Sequence, residues 1–129
     1  MIYVDTSALL KLVWDEDESP SLRRYLDDSD RGLVSSVLIA VETRRSVQRD
    51  APHRLPRADL LLNRVIQISV TAPIVESAGR LPDRSLRSLD AIHLATALLL
   101  KPDLEALLSY DKRLSAVAAA HAIPVVAPV

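Results

Sequence analysis

The sequence predicts an α/β fold of three layers, with helices on both faces of a parallel β-sheet. Two observations carry that prediction: short, mostly apolar, β-branched runs recur along the chain, and longer stretches of 3.6-residue apolar periodicity separate them. Near-continuous apolar runs suit strands buried on both faces, as in a sheet covered by helices on each side. Size agrees, because 129 residues, 49% of them hydrophobic, suffice for one core and a single domain over residues 1–129.

The elements follow in order. Ile2 to Asp5 reads as a first strand, and Ser7 to Trp14 and Ser19 to Asp28 as helices. A second strand at Leu33 to Ser35 leads into helices over Val37 to Arg49 and Pro56 to Asn63. Val65 to Val70 is the third strand, followed by helices at Ala72 to Arg80 and Leu89 to Leu100, the latter stopped by Pro102. Ala106 to Ser109 is the fourth strand and Lys112 to His121 an Ala-rich helix. Ile123 to Val126 closes the sheet as an edge strand, the position that Pro124 permits.

Composition narrows the class of protein. With no Cys there are no disulfides, no thiolate nucleophile and no Cys-ligated zinc, and a reducing cytosol is the simplest home. No apolar run is long enough for a membrane helix, and Asp5, Lys11 and Asp15 interrupt any leader-like core, so a cytoplasmic protein is expected. The formal charge of −1 hides an acidic first 30 residues and a basic remainder. Arg44, Arg45, Arg49, Arg54, Arg57 and Arg64 fall close together, either as a surface for phosphates or as a solvated helix pair.

Ligands of doubly wound sheets bind beyond the carboxyl ends of the strands, where strand order reverses. The first strand ends in Asp5, followed by Thr6 and Ser7, and the fourth ends Ser109-Tyr110-Asp111. If these strands are neighbours, the two carboxylates meet. Glu42 lies early in an otherwise apolar helix, and Asp90 begins one that must be nearly buried. Singly, each acid has a structural role open to it: Asp5 and Asp111 as helix N-caps, Asp90 against a helix dipole, Glu42 paired with Arg45 or Arg87. Together, four carboxylates at one sheet edge repel, and a hard divalent cation with oxygen ligands, Mg²⁺ or Mn²⁺, is the simplest arrangement that tolerates them. His93 reads as a packed side chain, Arg87 as a phosphate or carboxylate partner or a plain surface arginine, and Trp14 and Tyr25 as packing.

Asp5-Thr6-Ser7-Ala8-Leu9-Leu10-Lys11, Val41-Glu42, Leu86 to Ala97 (with Leu89-Asp90-Ala91-Ile92-His93) and Ser109-Tyr110-Asp111-Lys112-Arg113-Leu114 together resemble the PIN domain, and more closely the VapC-type ribonuclease toxins of bacterial toxin-antitoxin pairs. The resemblance covers essentially the whole chain. It implies a five-stranded parallel sheet of order 3-2-1-4-5 and a Mg²⁺- or Mn²⁺-dependent endoribonuclease. It also implies a homodimer inhibited by a small VapB-like antitoxin, with promoter DNA reached only through that antitoxin. Carried over by position, Asp5, Glu42, Asp90 and Asp111 form the catalytic, metal-holding quartet, with Thr6, Ser7 and Ser109 as supporting hydroxyls. The segment from Asp50 to Asn63, with Pro52 and Pro56, is less typical of the family.

Scarce aromatics leave no stacking platform for single strands, so the expected substrate is a folded tRNA or rRNA stem-loop, held by Arg44, Arg45, Arg49 and Arg87. Leu9, Leu12, Val13 and Trp14 supply either an apolar groove for a partner or plain core. A haloacid-dehalogenase-like phosphatase needs a second Asp where Ser7 stands, and a receiver domain has its phosphoacceptor on a middle strand of the sequence. The remaining alternative is a catalytically silent PIN-like module that binds RNA or a partner without cutting.

Overall fold

Every residue of the first strand is buried, because that strand runs through the middle of the sheet. The computed structural model describes residues 1–28 and 31–129. Strands β1 (Ile2–Val4), β2 (Leu33–Ser36), β3 (Val65–Ile68), β4 (Ala106–Leu108) and β5 (Val125–Val126) form one parallel sheet of order β3-β2-β1-β4-β5. The helices are α1 (Thr6–Val13), α2 (Ser19–Asp27), α3 (Leu38–Asp50), α4 (Leu55–Leu62), α5 (Ala72–Gly79), α6 (Ser88–Leu100) and α7 (Lys112–Ala120). The chain builds outward from β1 to β2 and β3, then crosses back to β4 on the other side of β1. The reversal opens a crevice at the carboxyl ends of β1 and β4.

Strand alternation sorts the core into two layers. Ile2, Val4, Leu33 and Leu108 pack with Ala8, Leu9, Leu12, Leu22 and Leu26 of α1 and α2, and with Ile39 and Leu62. Tyr3, Val34 and Leu107 face the other way, onto Leu94 and Ala97 of α6 and Leu114, Val117 and Ala118 of α7. Each fully buried Leu or Ile contributes on the order of 1.5–3 kcal/mol, so both faces are fixed by apolar burial. Leu9, Leu12 and Val13 belong to this interior, which removes them as a partner groove, while Trp14 is partly buried against Val13, Val47 and Ala58.

The strands match the sequence reading but stop sooner at the sheet edges. β3 ends at Ile68 rather than Val70, before Thr71 starts α5 with Pro73 in its first turn. β5 begins only after Pro124. Between α7 and β5 the chain turns through a Schellman motif: Ala122 N donates to Ala119 O and Ile123 N to Ala118 O. Ala122 occupies the left-handed position at φ 61°, where glycine is the usual residue.

The arginine-rich segment divides. Arg54 Nη1 donates to Val13 O at 2.7 Å and Arg57 Nε to Leu12 O at 2.8 Å, so both satisfy the free carbonyls at the end of α1. Arg44 is paired with Asp59 and Arg49 with Asp50, each at 2.9 Å. Only part of this cluster is therefore available as a surface for phosphates.

Candidate active site

Asp5 follows β1 directly and caps α1; Asp111 follows β4 and caps α7. Val4 and Leu108 are aligned in the sheet, and Asp5 N donates to Leu108 O at 3.0 Å, so the two strand ends lie side by side. The 106 residues that separate the acids in sequence are spanned by the crossover. Both are N-caps, and both stand at the crevice.

Each capping carboxylate uses one oxygen. Asp5 Oδ2 accepts from Ser7 Oγ at 2.6 Å, Ser109 Oγ at 3.1 Å and Ser7 N at 3.4 Å. Asp111 Oδ1 accepts from Arg113 N at 2.9 Å and Leu114 N at 3.1 Å. Among the described residues, Asp5 Oδ1 and Asp111 Oδ2 take no hydrogen bond. Glu42 follows the same pattern: its Oε1 accepts from Thr6 Oγ1 at 3.1 Å and lies 2.6 Å from His93 Nε2, whereas Oε2 takes none among the described residues. Its partners are therefore Thr6 and His93, not Arg45 or Arg87. Asp90, in the first turn of α6, has no hydrogen-bond partner among the described residues.

The hydroxyls tie the strand ends together. Ser7 Oγ donates to Asp5 and accepts from Tyr110 N at 2.9 Å, while Ser109 Oγ donates to Asp5 and accepts from Asp111 N at 3.1 Å. Thr6, Ser7 and Ser109 thus hold the acids in place, Thr6 and Ser109 through bonds between segments distant in sequence.

The acids feel one another. Asp90 has its pKa raised by burial first, then by the charges of Asp111 and Asp5 and more weakly that of Glu42, with His93 acting in the opposite direction. Among the described residues no three acidic, imidazole or thiol groups stand together so as to hold an ion by themselves. Mg²⁺ keeps several waters and takes only one or two protein carboxylates directly. Hard oxygen donors, three with one oxygen anchored and the other without a hydrogen bond, suit an ion held by one or two of them directly and by the others through water. No thiolate or pair of exposed imidazoles is present among the described residues of the crevice to favour zinc.

Two features are less visible in sequence. His93 is completely buried and joins Glu42 to Tyr3, whose Oη is 2.8 Å from His93 Nδ1. Its signal is a polar residue on an apolar helix, three places after Asp90. A groove beside the acids is lined by Arg87, Asp90, Asp111, Lys112 and Arg113. Lys112 and Arg113, which directly follow a strand-end Asp, have no role assigned by the sequence alone. Arg87 reaches this groove; Arg45 lies exposed on α3, and Arg44 and Arg49 are engaged in their ion pairs.

The PIN domain family model matches residues 2–120. The chain belongs to the PIN domain family. Within it the chain is similar to the VapC ribonucleases. Ribonuclease VapC35 of Mycobacterium tuberculosis is 42% identical over 131 residues, covering 99% of this chain and 97% of that protein. Among solved structures, a toxin-antitoxin complex from Klebsiella pneumoniae has a TM-score of 0.76 at 22% identity, covering 100% of this chain and 98% of that one. Mycobacterium tuberculosis VapC20, described as a toxin that cleaves the sarcin-ricin loop, has a TM-score of 0.73 at 22% identity, covering 91% and 95%.

Proposed function

We propose that this chain is a divalent-metal-dependent endoribonuclease toxin, restrained by a VapB-like antitoxin. The observation that carries the reading is the set of anchored carboxylates at the β1–β4 crevice, three of which leave one oxygen free. Asp5, Asp90 and Asp111, with Glu42 directly or through water, would hold Mg²⁺ or Mn²⁺. Such an ion supplies Lewis acidity, lowering the pKa of a coordinated water and offsetting phosphate charge. Membership of a family with VapC relatives supports the assignment to RNA.

None of the three histidines is placed to activate a ribose 2′-hydroxyl: both nitrogens of buried His93 are engaged. His121 is held by Asp83 at 2.9 Å at the far end of α7, and His53 lies beyond α3, whose 13 residues span about 20 Å. With the carboxylates holding an ion, water is the proposed nucleophile. The expected products carry a 5′-phosphate and a 3′-hydroxyl, which end-group analysis of cleaved RNA will show. A 2′,3′-cyclic phosphate would refute this chemistry.

Arg87, Lys112 and Arg113 flank the acids and offer the phosphate contacts; Arg45 extends that surface, with Arg44 and Arg49 joining only by exchanging their partners. A folded tRNA or rRNA stem-loop is the proposed substrate, because selectivity here rests on shape and phosphate contacts. Neutralising Arg87 should weaken RNA binding and reduce the slope of log K against log salt by about 0.7 to 0.9 for each phosphate it neutralises in the parent. Binding titrations of the catalytically inactive protein at several salt concentrations measure this, and an unchanged slope would remove Arg87 from the interface.

No helix among the described residues is long and apolar enough to cross a membrane. A cytoplasmic homodimer is proposed, with promoter DNA contacted through the antitoxin. The antitoxin would set an Arg or Lys against the four acids. Val37 and Val41, exposed on or beside the helix that carries Glu42, offer the apolar contact that the buried Leu9, Leu12 and Val13 cannot.

A further inference from the structure

Glu42 is the one acid of the four that is anchored by an imidazole, and the anchor is itself anchored. Tyr3 sits in β1 between Ile2 and Val4, which point into the opposite core layer, so its ring enters the apolar layer beneath α6. Its hydroxyl does not end there unpaired. Ser36 N, at the carboxyl end of β2, donates to Tyr3 Oη at 3.1 Å, and Tyr3 Oη lies 2.8 Å from His93 Nδ1. The Tyr3 and His93 rings meet edge to face at 88°, with centroids 5.9 Å apart. His93 Nε2 lies 2.6 Å from Glu42 Oε1, which also accepts from Thr6. Tyr3 and His93 are both fully buried.

The donors order this chain. A carboxylate oxygen only accepts, so His93 Nε2 carries the proton that faces Glu42. Tyr3 Oη, which accepts from Ser36 N, holds Nδ1 on the other side of the ring. We infer that His93 and Tyr3 are positioning residues for the proposed metal site: Tyr3 fixes the His93 ring through Nδ1, and His93 Nε2–H together with Thr6 pins Glu42 Oε1, leaving Oε2 unengaged for the cation. The inference rests on the reading of the four acids as a metal site. It adds that a relay from β2 through β1 and α6 to α3 governs the fourth of them. Three separate elements are thereby brought to one carboxylate, so its orientation is a product of tertiary structure and not of α3 alone.

Burial makes the relay selective. A Glu42 side chain held only by Thr6 would sample rotamers that carry Oε2 away from the crevice, since a lone hydroxyl bond restrains a long side chain weakly. Tyr3→Phe deletes one oxygen and keeps the ring, so it releases the Nδ1 side of His93 without emptying the core. His93→Gln retains an amide donor toward Glu42, whereas His93→Ala removes it.

The test measures Mn²⁺ affinity by titration of the folded protein, together with single-turnover RNA cleavage. Loss of outer-shell partners typically costs about 10–100-fold in metal affinity. Tyr3→Phe and His93→Ala should each fall in that range, with His93→Gln recovering most of the loss and the KM for RNA unchanged in all three. A structural role alone would lower the melting temperature and leave Mn²⁺ affinity within about twofold of the parent, which would overturn the inference. If His93→Ala does not fold, Tyr3→Phe and nitrogen NMR of the parent decide: a proton on Nε2 is expected, and an Nε2 without one overturns the relay. A parent that binds no Mn²⁺ would refute the metal site and the relay together, whereas a binding parent with indifferent variants refutes the relay alone.

Discussion

Asp5→Asn is expected to fold as the parent does and to lose RNA cleavage by about 10³-fold or more, the equivalent of about 4 kcal/mol of transition-state stabilisation. The two oxygens of Asp5 have separate work. Oδ2 caps α1 and accepts from Ser7 and Ser109, and Asn keeps one oxygen that can do the same. Asn is as good an N-cap as Asp, so the helix start is preserved. The amide then places an NH₂ donor where the free carboxylate oxygen stood, and a donor cannot ligate a cation. Asp5→Ala separates the roles from the other side. It removes the cap as well and should cost a further 0.5–2 kcal/mol or so, on the order of any lost N-cap, in stability. Thermal unfolding and cleavage rates of both variants check this. Asn cleaving within about tenfold of the parent would leave Asp5 as a cap and nothing more.

That double duty explains how far the sequence can be read. The three central strands are legible because burial on both faces leaves short runs without charges, and Asp5 and Asp111 because each follows such a run. Neither position reveals in sequence whether it caps a helix or is suited to hold an ion, since the two draw on the same residue types. In the structure both carboxylates cap a helix with one oxygen, and the other takes no hydrogen bond among the described residues. Glu42 is legible as an acid without an obvious partner, but the partners its neighbours suggest are arginines. Its actual partners, Thr6 and His93, come from α1 and α6, and no local pattern encodes that meeting. Tyr3 is invisible for the same reason: in sequence it is one apolar-looking residue of a central strand, and only tertiary structure brings Ser36 of β2 and His93 of α6 to its hydroxyl. The arginine cluster misleads the other way. Its density suggests one phosphate surface, yet Arg54 and Arg57 satisfy the carbonyls at the end of α1, a helix that lies far earlier in the chain.

Asp90→Asn should be at least as stable as the parent without metal, and markedly less stabilised by Mn²⁺. The sign follows from where the proton goes. Burial, and then the charges of Asp111, Asp5 and Glu42, hold the Asp90 pKa above its ordinary value, so the folded chain keeps a proton that the unfolded chain has lost. Between the unfolded pKa, near 3.8, and the raised folded value, stability contributed by this group falls as pH rises. Above that window the parent carries a desolvated carboxylate among like charges. Asn carries none, and its pH profile should lack the corresponding slope. Asp90 makes no hydrogen bond among the described residues, so the substitution forfeits only a favourable interaction with the positive end of α6, about 0.3–1 kcal/mol. With metal the order reverses. A ligand present at about 100 times its Kd stabilises the folded state by about 2.7 kcal/mol, and this gain belongs to the parent. Unfolding of parent and variant in chelator and then in millimolar Mn²⁺, across roughly pH 4 to 8, reads both effects. An Asn variant destabilised in chelator, beside a parent indifferent to Mn²⁺, would return Asp90 to a purely structural place at the start of its helix.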